Sequence, residues 1–338
     1  MNVGRAQWPQ HRESMNRKNF IRALGASALV ALTAGTAQAQ GWPTGTIHLY
    51  VGSPPGAPSD IMARLFADQL SRQVRQSVVV ENRPGAGNSL AAMAAARAEP
   101  DGHTLVLSPD TVLTVNPHVY HGGSFDPRRD LVNVSVVASF SQMLVCHPSV
   151  GVKSVQELVA KARAGRVTYA SGGPGVPGHL ATAMFLEAAK VRMDHIPYKG
   201  PSPATQAVLS GEVDCGFLAT PTVLPHVKAG KLVALAVSSA TPSPLAPAVP
   251  TLAQALKQPG LDVSFRLVLQ APKATPPAVL ASIEKEAQEA MKSPDLRAKL
   301  VPHDLTAVGS SSADAQKVMQ AEMARWEPVV KRLGLKAD

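Results

Sequence analysis

The stretch TIHLYVGSPPGAPSD, Thr46–Asp60, runs an apolar segment into a Gly/Pro loop and then into an amphipathic stretch. Thr46–Ser53 reads as a buried strand because its apolar residues are nearly continuous, and Ser59–Arg75 reads as a helix because its apolar residues recur at helical spacing. Ser59 or Asp60 is the expected N-cap. Glycine lets such a loop approach a ligand closely, and proline fixes the loop before binding. A helix opening directly after the turn presents unpaired N–H groups and the positive end of its dipole, for which carboxylate or phosphate is the natural guest.

Outward from this stretch the pattern repeats. Ser77–Asn82 and His103–Ser108 read as strands, with a helix at Ser89–Ala98. A second set of strands follows at Met143–His147, Val167–Ser171, Asp194–Tyr198, Val213–Leu218 and Leu232–Ser238. Helices are expected around Val155–Ala164, His179–Lys190, Ser202–Ser210 and Pro221–Ala229. The proline-rich segment Thr241–Thr251 is an extended connector. A strand at Val263–Gln270 and helices at Pro277–Met291 and Ser312–Leu333 close the chain. Strands alternating with helices predict parallel pairing through crossovers, hence an α/β protein with two similar lobes.

An internal echo supports the two lobes. Pro55-Gly56-Ala57-Pro58-Ser59-Asp60 lines up with Pro174-Gly175-Val176-Pro177-Gly178-His179 at an offset of 119, each after a strand and before a helix. Gly85-Ala86-Gly87-Asn88 opens another helix in the first lobe, and Ser171-Gly172-Gly173-Pro174-Gly175 opens one in the second. Loops at strand C-termini are where open α/β sheets bind ligands.

Composition sets the outer bounds. A chain of 338 residues, 45% hydrophobic and 17% charged, is long enough for two domains and a substantial core. With 7 Phe, 4 Tyr and 3 Trp, it is poorly equipped to grip sugar rings between aromatic platforms. Arg17, Lys18 and Arg22 precede the apolar run Ala23–Ala34 and then Ala37-Gln38-Ala39, the layout of a secretory signal cleaved near Ala39. Met15 sits where such a signal would begin, and both general and twin-arginine export fit the run at Arg17. Removing residues 1–39 takes five basic residues and one acidic residue and lowers the formal charge from +9 to about +5. That charge is dispersed, which argues against nucleic acid and fits an anionic small ligand. Cys146 and Cys215 both lie in strand-like runs destined for an oxidising compartment; one disulfide and two buried thiols both fit.

Catalytic readings fare poorly. Gly173-Pro174-Gly175-Val176-Pro177-Gly178 matches G-x-G-x-x-G, but Tyr198 and Lys199 stand where a dinucleotide site needs an acid. His118 and His121 have no Cys/Asp/Glu set to complete a metal site and read as a surface turn. Cys146 and His147 are adjacent in a strand and point to opposite faces, so they do not pair as a nucleophile. No G-x-S-x-G or H-E-x-x-H run occurs. The expectation is a binding protein with no catalytic residues, metal or cofactor. A micromolar complex needs about −8 kcal/mol after association costs, and hydrogen bonds to charge contribute about 1.5–3 kcal/mol each, so two carboxylates with several bonds each reach it in a cleft that excludes water, and one does not easily.

Ser53-Pro54-Pro55-Gly56-Ala57-Pro58-Ser59-Asp60, Val80-Glu81-Asn82-Arg83-Pro84-Gly85-Ala86-Gly87-Asn88, Pro100-Asp101-Gly102-His103-Thr104-Leu105 and Ile196-Pro197-Tyr198-Lys199-Gly200 together resemble the substrate-binding proteins of tripartite tricarboxylate transporters, the Bug receptors. Ala229–Val237 and Val249-Pro250-Thr251 fit as well, so the likeness runs from about Trp42 to Leu333. The resemblance implies a periplasmic, type II Venus-flytrap receptor with two Rossmann-like lobes and a carboxylate in the cleft between them. It places the lobes at residues 40–142 plus 259–338 and at 143–258, after a signal at 1–39. Ligand contacts carried over by position are Ser53, Pro54, Gly56, Ala57, Ser59 and Asp60 from the first loop, with Gly87, Thr111 and Thr114 nearby. From the second lobe come Ser171, Gly172, Gly173, Tyr198, Lys199, Ala219 and Thr220.

Three positions depart from the pattern. Ala57 replaces the second glycine of the usual P-x-G-G, Ala219-Thr220 replaces an acidic or Asn residue, and Phe265-Arg266-Leu267 replaces an aromatic-Gly pair. Arg266 either meets a second carboxylate or faces solvent. The partners implied are a small dicarboxylate, aromatic acid or acidic amino acid, and the membrane subunits of a secondary transporter. A sensor kinase or an ATP-driven importer is the alternative partner, and a monomer is expected.

Overall fold

The computed structural model describes residues 41–120 and 125–334. The signal-peptide reading and His121 fall outside them. Among the described residues eleven strands form two sheets, each flanked by helices, in a two-lobed α/β fold. The first sheet has the order β11-β4-β10-β3-β1-β2 and the second β7-β6-β8-β5-β9. In sequence, β1 is Ile47–Val51, β2 Val78–Asn82, β3 Thr104–Pro109, β4 Leu131–Phe140, β5 Gln142–Cys146, β6 Thr168–Ser171, β7 Asp194–Pro197, β8 Cys215–Ala219, β9 Val233–Val237, β10 Phe265–Pro272 and β11 Leu305–Ala307.

The principal helices are α1 Pro58–Val74, α2 Ser89–Ala96, α3 Val155–Ala164, α4 Pro177–Ala189, α5 Pro201–Ser210, α6 Thr220–Lys228, α7 Pro277–Lys292, α8 Pro294–Leu300 and α9 Ser312–Leu333. On α1, Met62, Phe66 and Leu70 recur every four residues and are buried, so one stripe of the helix seals against the sheet. The strands β1 and β3 carry Ile47, Leu49, Val51, Leu105 and Leu107 into the same core.

The sheets are mixed, which corrects the expectation of parallel pairing alone. The pairs β1–β2, β1–β3, β6–β7 and β6–β8 are parallel, whereas β10 runs antiparallel to both β3 and β4, and β5 antiparallel to β8 and β9. The chain passes between lobes twice, from β4 to β5 and from β9 to β10. A strand that enters a lobe at the cleft runs away from it, against neighbours whose C-termini end there. Ser238 ties the two crossings together. Its hydroxyl accepts the Gln142 N–H at 2.9 Å and donates to the Val263 carbonyl at 2.8 Å, while its own N–H donates to the Gln142 carbonyl.

The ten-residue β4 has no counterpart in the sequence reading. Its Asn133 and Ser135 are buried yet paired: Gln270 donates to Asn133 Oδ1 at 2.9 Å, and Ser135 donates to the Ser310 carbonyl at 2.8 Å. Polar groups bonded across strands cost little to bury, so they do not break the strand. Cys146 and Cys215 face each other in the β5–β8 register and form a disulfide, which resolves the open choice and leaves no thiol beside His147.

Candidate functional site

The loop after β1 and the start of α1 form one wall of the cleft. Gly56 adopts φ +83°, a left-handed conformation open to glycine, and Pro58 is the first helical residue. The N-cap is Ala57, with no side-chain cap, which displaces the expected Ser59 or Asp60 into the first turn. Asp60 turns back instead, taking the Gly56 N–H at 2.9 Å and bonding to Asn82 Nδ2 at 2.8 Å and Arg64 at 2.9 Å. Burial alone would push the Asp60 carboxyl up, but the bonds from Arg64, Asn82 and Gly56 hold it below its ordinary value. Asn82 also donates to the Ser53 carbonyl at 2.9 Å, so the Glu-Asn-Arg-Pro motif braces the loop from β2. Arg83 of that motif lies 3.7 Å over the Tyr50 ring and pairs with Glu81 at 2.9 Å.

The facing wall is the loop after β6 and the start of α4. Gly175 adopts φ +73°, Val176 is the N-cap and Pro177 is the first helical residue, as in the first lobe. Ser171 Oγ accepts the Gly173 N–H at 3.1 Å, and Gly175 N–H donates to His179 Nδ1 at 3.1 Å. Gly172 sits where a Cβ would come within 2.9 Å of the Gly200 and Pro201 backbone, so two loops of this lobe touch directly.

Between the walls lies a cavity of about 490 Å³, within the size range of small-molecule sites. Ser53, Pro54, Ala57, Ser59 and Gly87 line it from the first lobe, and Gly172, Gly173, Tyr198, Lys199 and Ala219 from the second. Ser53 and Ser59 are buried with their hydroxyls 2.5 Å apart. Gly56, which is exposed, and the buried Asp60 are off the cavity lining and brace the first loop through their bond, and Ser171 does the same in the second lobe.

Thr111, Thr114 and Thr220 are fully buried at the first turns after β3 and β8 and are off the cavity wall. Thr114 donates to the Asp110 carbonyl. Tyr198 lines the cavity while its hydroxyl donates to Glu212 at 2.8 Å, and Lys199 is exposed at the mouth. Arg266 pairs with Glu322 at 2.9 Å beside the fully buried Asp110, so its charge is used within the first lobe. Burial pushes the Asp110 carboxyl up to about 7, against the pull of Arg266.

Sequence reasoning passed over Phe140, Gln142, Asn88, Phe217 and Tyr120 as cavity residues. Tyr120 lies between His118 and His121 in the sequence. Its hydroxyl donates to the Pro174 carbonyl of the opposite lobe at 2.8 Å, and Pro54 Cγ fills the space 2.7 Å from where a Gly200 Cβ would stand. The two lobes therefore touch across the cleft. A second cavity, of about 500 Å³, lies on the first lobe around Arg97, Phe125 and Lys273, away from both Gly-rich loops. Among the described residues no cluster of His, Cys, Asp and Glu is arranged to hold a metal ion.

The cleft is thus flanked by two Pro-started helices that follow β1 and β6, and comparison with known proteins says which family builds it. The family described as the tripartite tricarboxylate transporter family receptor matches residues 62–335. The chain belongs to that family. Protein BugT of Bordetella pertussis is 33% identical over 325 residues, covering 95% of this chain and 99% of that protein. An R. palustris structure with adipate is 31% identical with a TM-score of 0.83, over 88% of this chain and all of that one. BugD, a periplasmic binding protein, is 25% identical with a TM-score of 0.80, over 88% of this chain and all of that one. MatC from Rhodopseudomonas palustris with bound malate is 26% identical with a TM-score of 0.77, over 86% of this chain and all of that one. Receptors of this family are periplasmic, and these relatives are solute-binding proteins.

Proposed function

We propose that this chain is a periplasmic receptor that closes its lobes around a small carboxylate with an apolar body and delivers it to a tripartite tricarboxylate-type secondary transporter. The observation that carries the reading is the interlobe cavity, walled on both sides by a glycine loop that opens a helix. Carboxylate oxygens fit against such loops, where backbone N–H groups and helix dipoles converge. Pro84, Phe140, Val176 and Phe217 supply apolar surface for the body of the ligand. Related receptors carry adipate and malate, which supports the same chemical class here.

Within that class the walls favour dicarboxylates and aromatic acids over acidic amino acids. Among the described lining residues none is Asp or Glu, so an ammonium group would give up hydration without gaining a negatively charged side chain. Lys199 at the mouth can meet a second carboxylate on entry. The lobes are taken as residues 40–142 with 259–338, and 143–258, following a signal peptide cleaved near Ala39. Unfolding and refolding the mature protein to strip bound ligand, then screening acids by thermal shift, tests the reading. At least one dicarboxylate or aromatic acid raises the melting temperature; a response confined to sugars or cations overturns the proposal.

A further inference from the structure

The two cradles share one wiring scheme at an offset of 119 residues. Ala57 and Val176 are N-caps with φ −76° and ψ 159° and 161°, Pro58 and Pro177 follow, and the preceding glycine is left-handed in both. In each, the glycine N–H donates to the side chain four residues on: Gly56 to Asp60 Oδ2 at 2.9 Å, and Gly175 to His179 Nδ1 at 3.1 Å. The difference is the acceptor, a carboxylate in one lobe and an imidazole in the other.

His179 is 6% exposed and stacks on His195, with centroids 4.2 Å apart and planes 13° apart. His195 stacks in turn on Tyr169 at 4.8 Å, and its Nε2 lies 2.6 Å from Ser171 Oγ, the atom that takes the Gly173 N–H. Both Gly173 and Gly175 are thus held from behind by this ring stack. We propose that His179 is the positioning residue of the second cradle, an uncharged acceptor that fixes the loop 171–175 in its ligand-ready shape as Asp60 fixes the first.

The proposal rests on the carboxylate-receptor reading and says how that site is kept in shape. The acceptor role requires an unprotonated Nδ1. Burial, with the neighbouring His195 adding to it, pulls His179 down to about 3, and burial pulls His195 down to about 4. Tyr169 from β6 and His195 from β7 are the titratable groups facing it; β5, β8 and the Leu252–Leu256 turn packed against α4 carry no titrating side chain. Asp60 needs Arg64 and Asn82 to sustain its charge, and the second cradle has no such pair within these bonds. An imidazole supplies the same acceptor without placing a negative charge behind an anion site.

Wild type, His179→Asn and His179→Phe are compared by amide exchange at Gly175 without ligand and by calorimetric titration with adipate. Asparagine keeps an acceptor near the Nδ1 position; phenylalanine keeps the stack and removes the acceptor. Gly175 exchange is expected to be slow in wild type and His179→Asn and about tenfold or more faster in His179→Phe, with adipate affinity falling about tenfold in that variant alone. Equal exchange in all three, or wild-type affinity in folded His179→Phe, overturns the proposal. Imidazole nitrogen NMR of wild type at pH 6 tests the premise without any variant: an unprotonated His179 Nδ1 is required, and a protonated one contradicts the proposal. Should wild type ignore adipate and every other acid tried, the receptor reading fails, while the exchange series and the nitrogen spectrum still judge His179.

Discussion

Glycines in this chain fail for different reasons, and the difference can be measured. Gly56 sits at φ +83° with open space where a Cβ would point, so Gly56→Val strains only the backbone, by about 1–3 kcal/mol. The altered loop is expected to abolish the ligand-induced rise in melting temperature while the protein remains folded. Gly178 is the opposite case: a Cβ there would stand 2.4 Å from the Phe217 carbonyl oxygen on β8. Gly178→Ala must push α4 off its sheet and should cost about 1–3 kcal/mol in urea unfolding. The glycine and proline positions of both cradles were legible because their conformational demands are local. Tyr120, His179 and Asn82 were not, since each acts on a partner placed by the fold: the Pro174 carbonyl, a stacked ring and the Ser53 carbonyl. The Gly56/Asp60 and Gly175/His179 spacing was visible in the sequence, but two unlike side chains hid their shared task.

Among elements, runs of apolar residues marked the strands β1, β3, β6 and β8 within a residue or two of where they lie. Direction was harder to read. Whether β10 pairs antiparallel with β3 depends on the chain having crossed from the other lobe, which no local pattern records. The polar Asn133 and Ser135 masked β4 because their partners, Gln270 and the Ser310 carbonyl, lie more than a hundred residues away. The disulfide belongs to this scale too, since it staples β5 to β8 across a separation of 69 residues. Closing so long a loop restricts the unfolded chain, and removing the link typically costs about 2–4 kcal/mol. The double variant Cys146→Ala/Cys215→Ala should show that loss in its urea midpoint, and reductant should then have no further effect.

For the whole molecule, buried titrating groups set the response to acid. His179 and His195 stay neutral in the fold down to about 3 and about 4, while the unfolded chain protonates them near pH 6.5. Each therefore removes up to about 1.4 kcal/mol per pH unit as the pH falls below about 6.5. Asp110 works the other way, because the fold raises it to about 7 and holds a proton that the unfolded chain releases above about 4. Two losses against one gain leave stability falling as the pH drops from about 6.5 to 4.5. Urea unfolding across that window checks the slope; Asp110→Asn should steepen it and His179→Asn should flatten it.

The two-lobed design was legible from alternation and the internal echo, whereas the contacts between the lobes, Tyr120 on Pro174 and Pro54 against Gly200, exist only once the sheets face each other. The most direct test of capture between them is a crystal structure of the refolded protein soaked with adipate. The account predicts one carboxylate in the cavity, its oxygens against the loops at Ser53–Ser59 and Gly172–Gly173. Density at the outer cavity beside Arg97 and Lys273, with the cleft holding solvent alone, would contradict it.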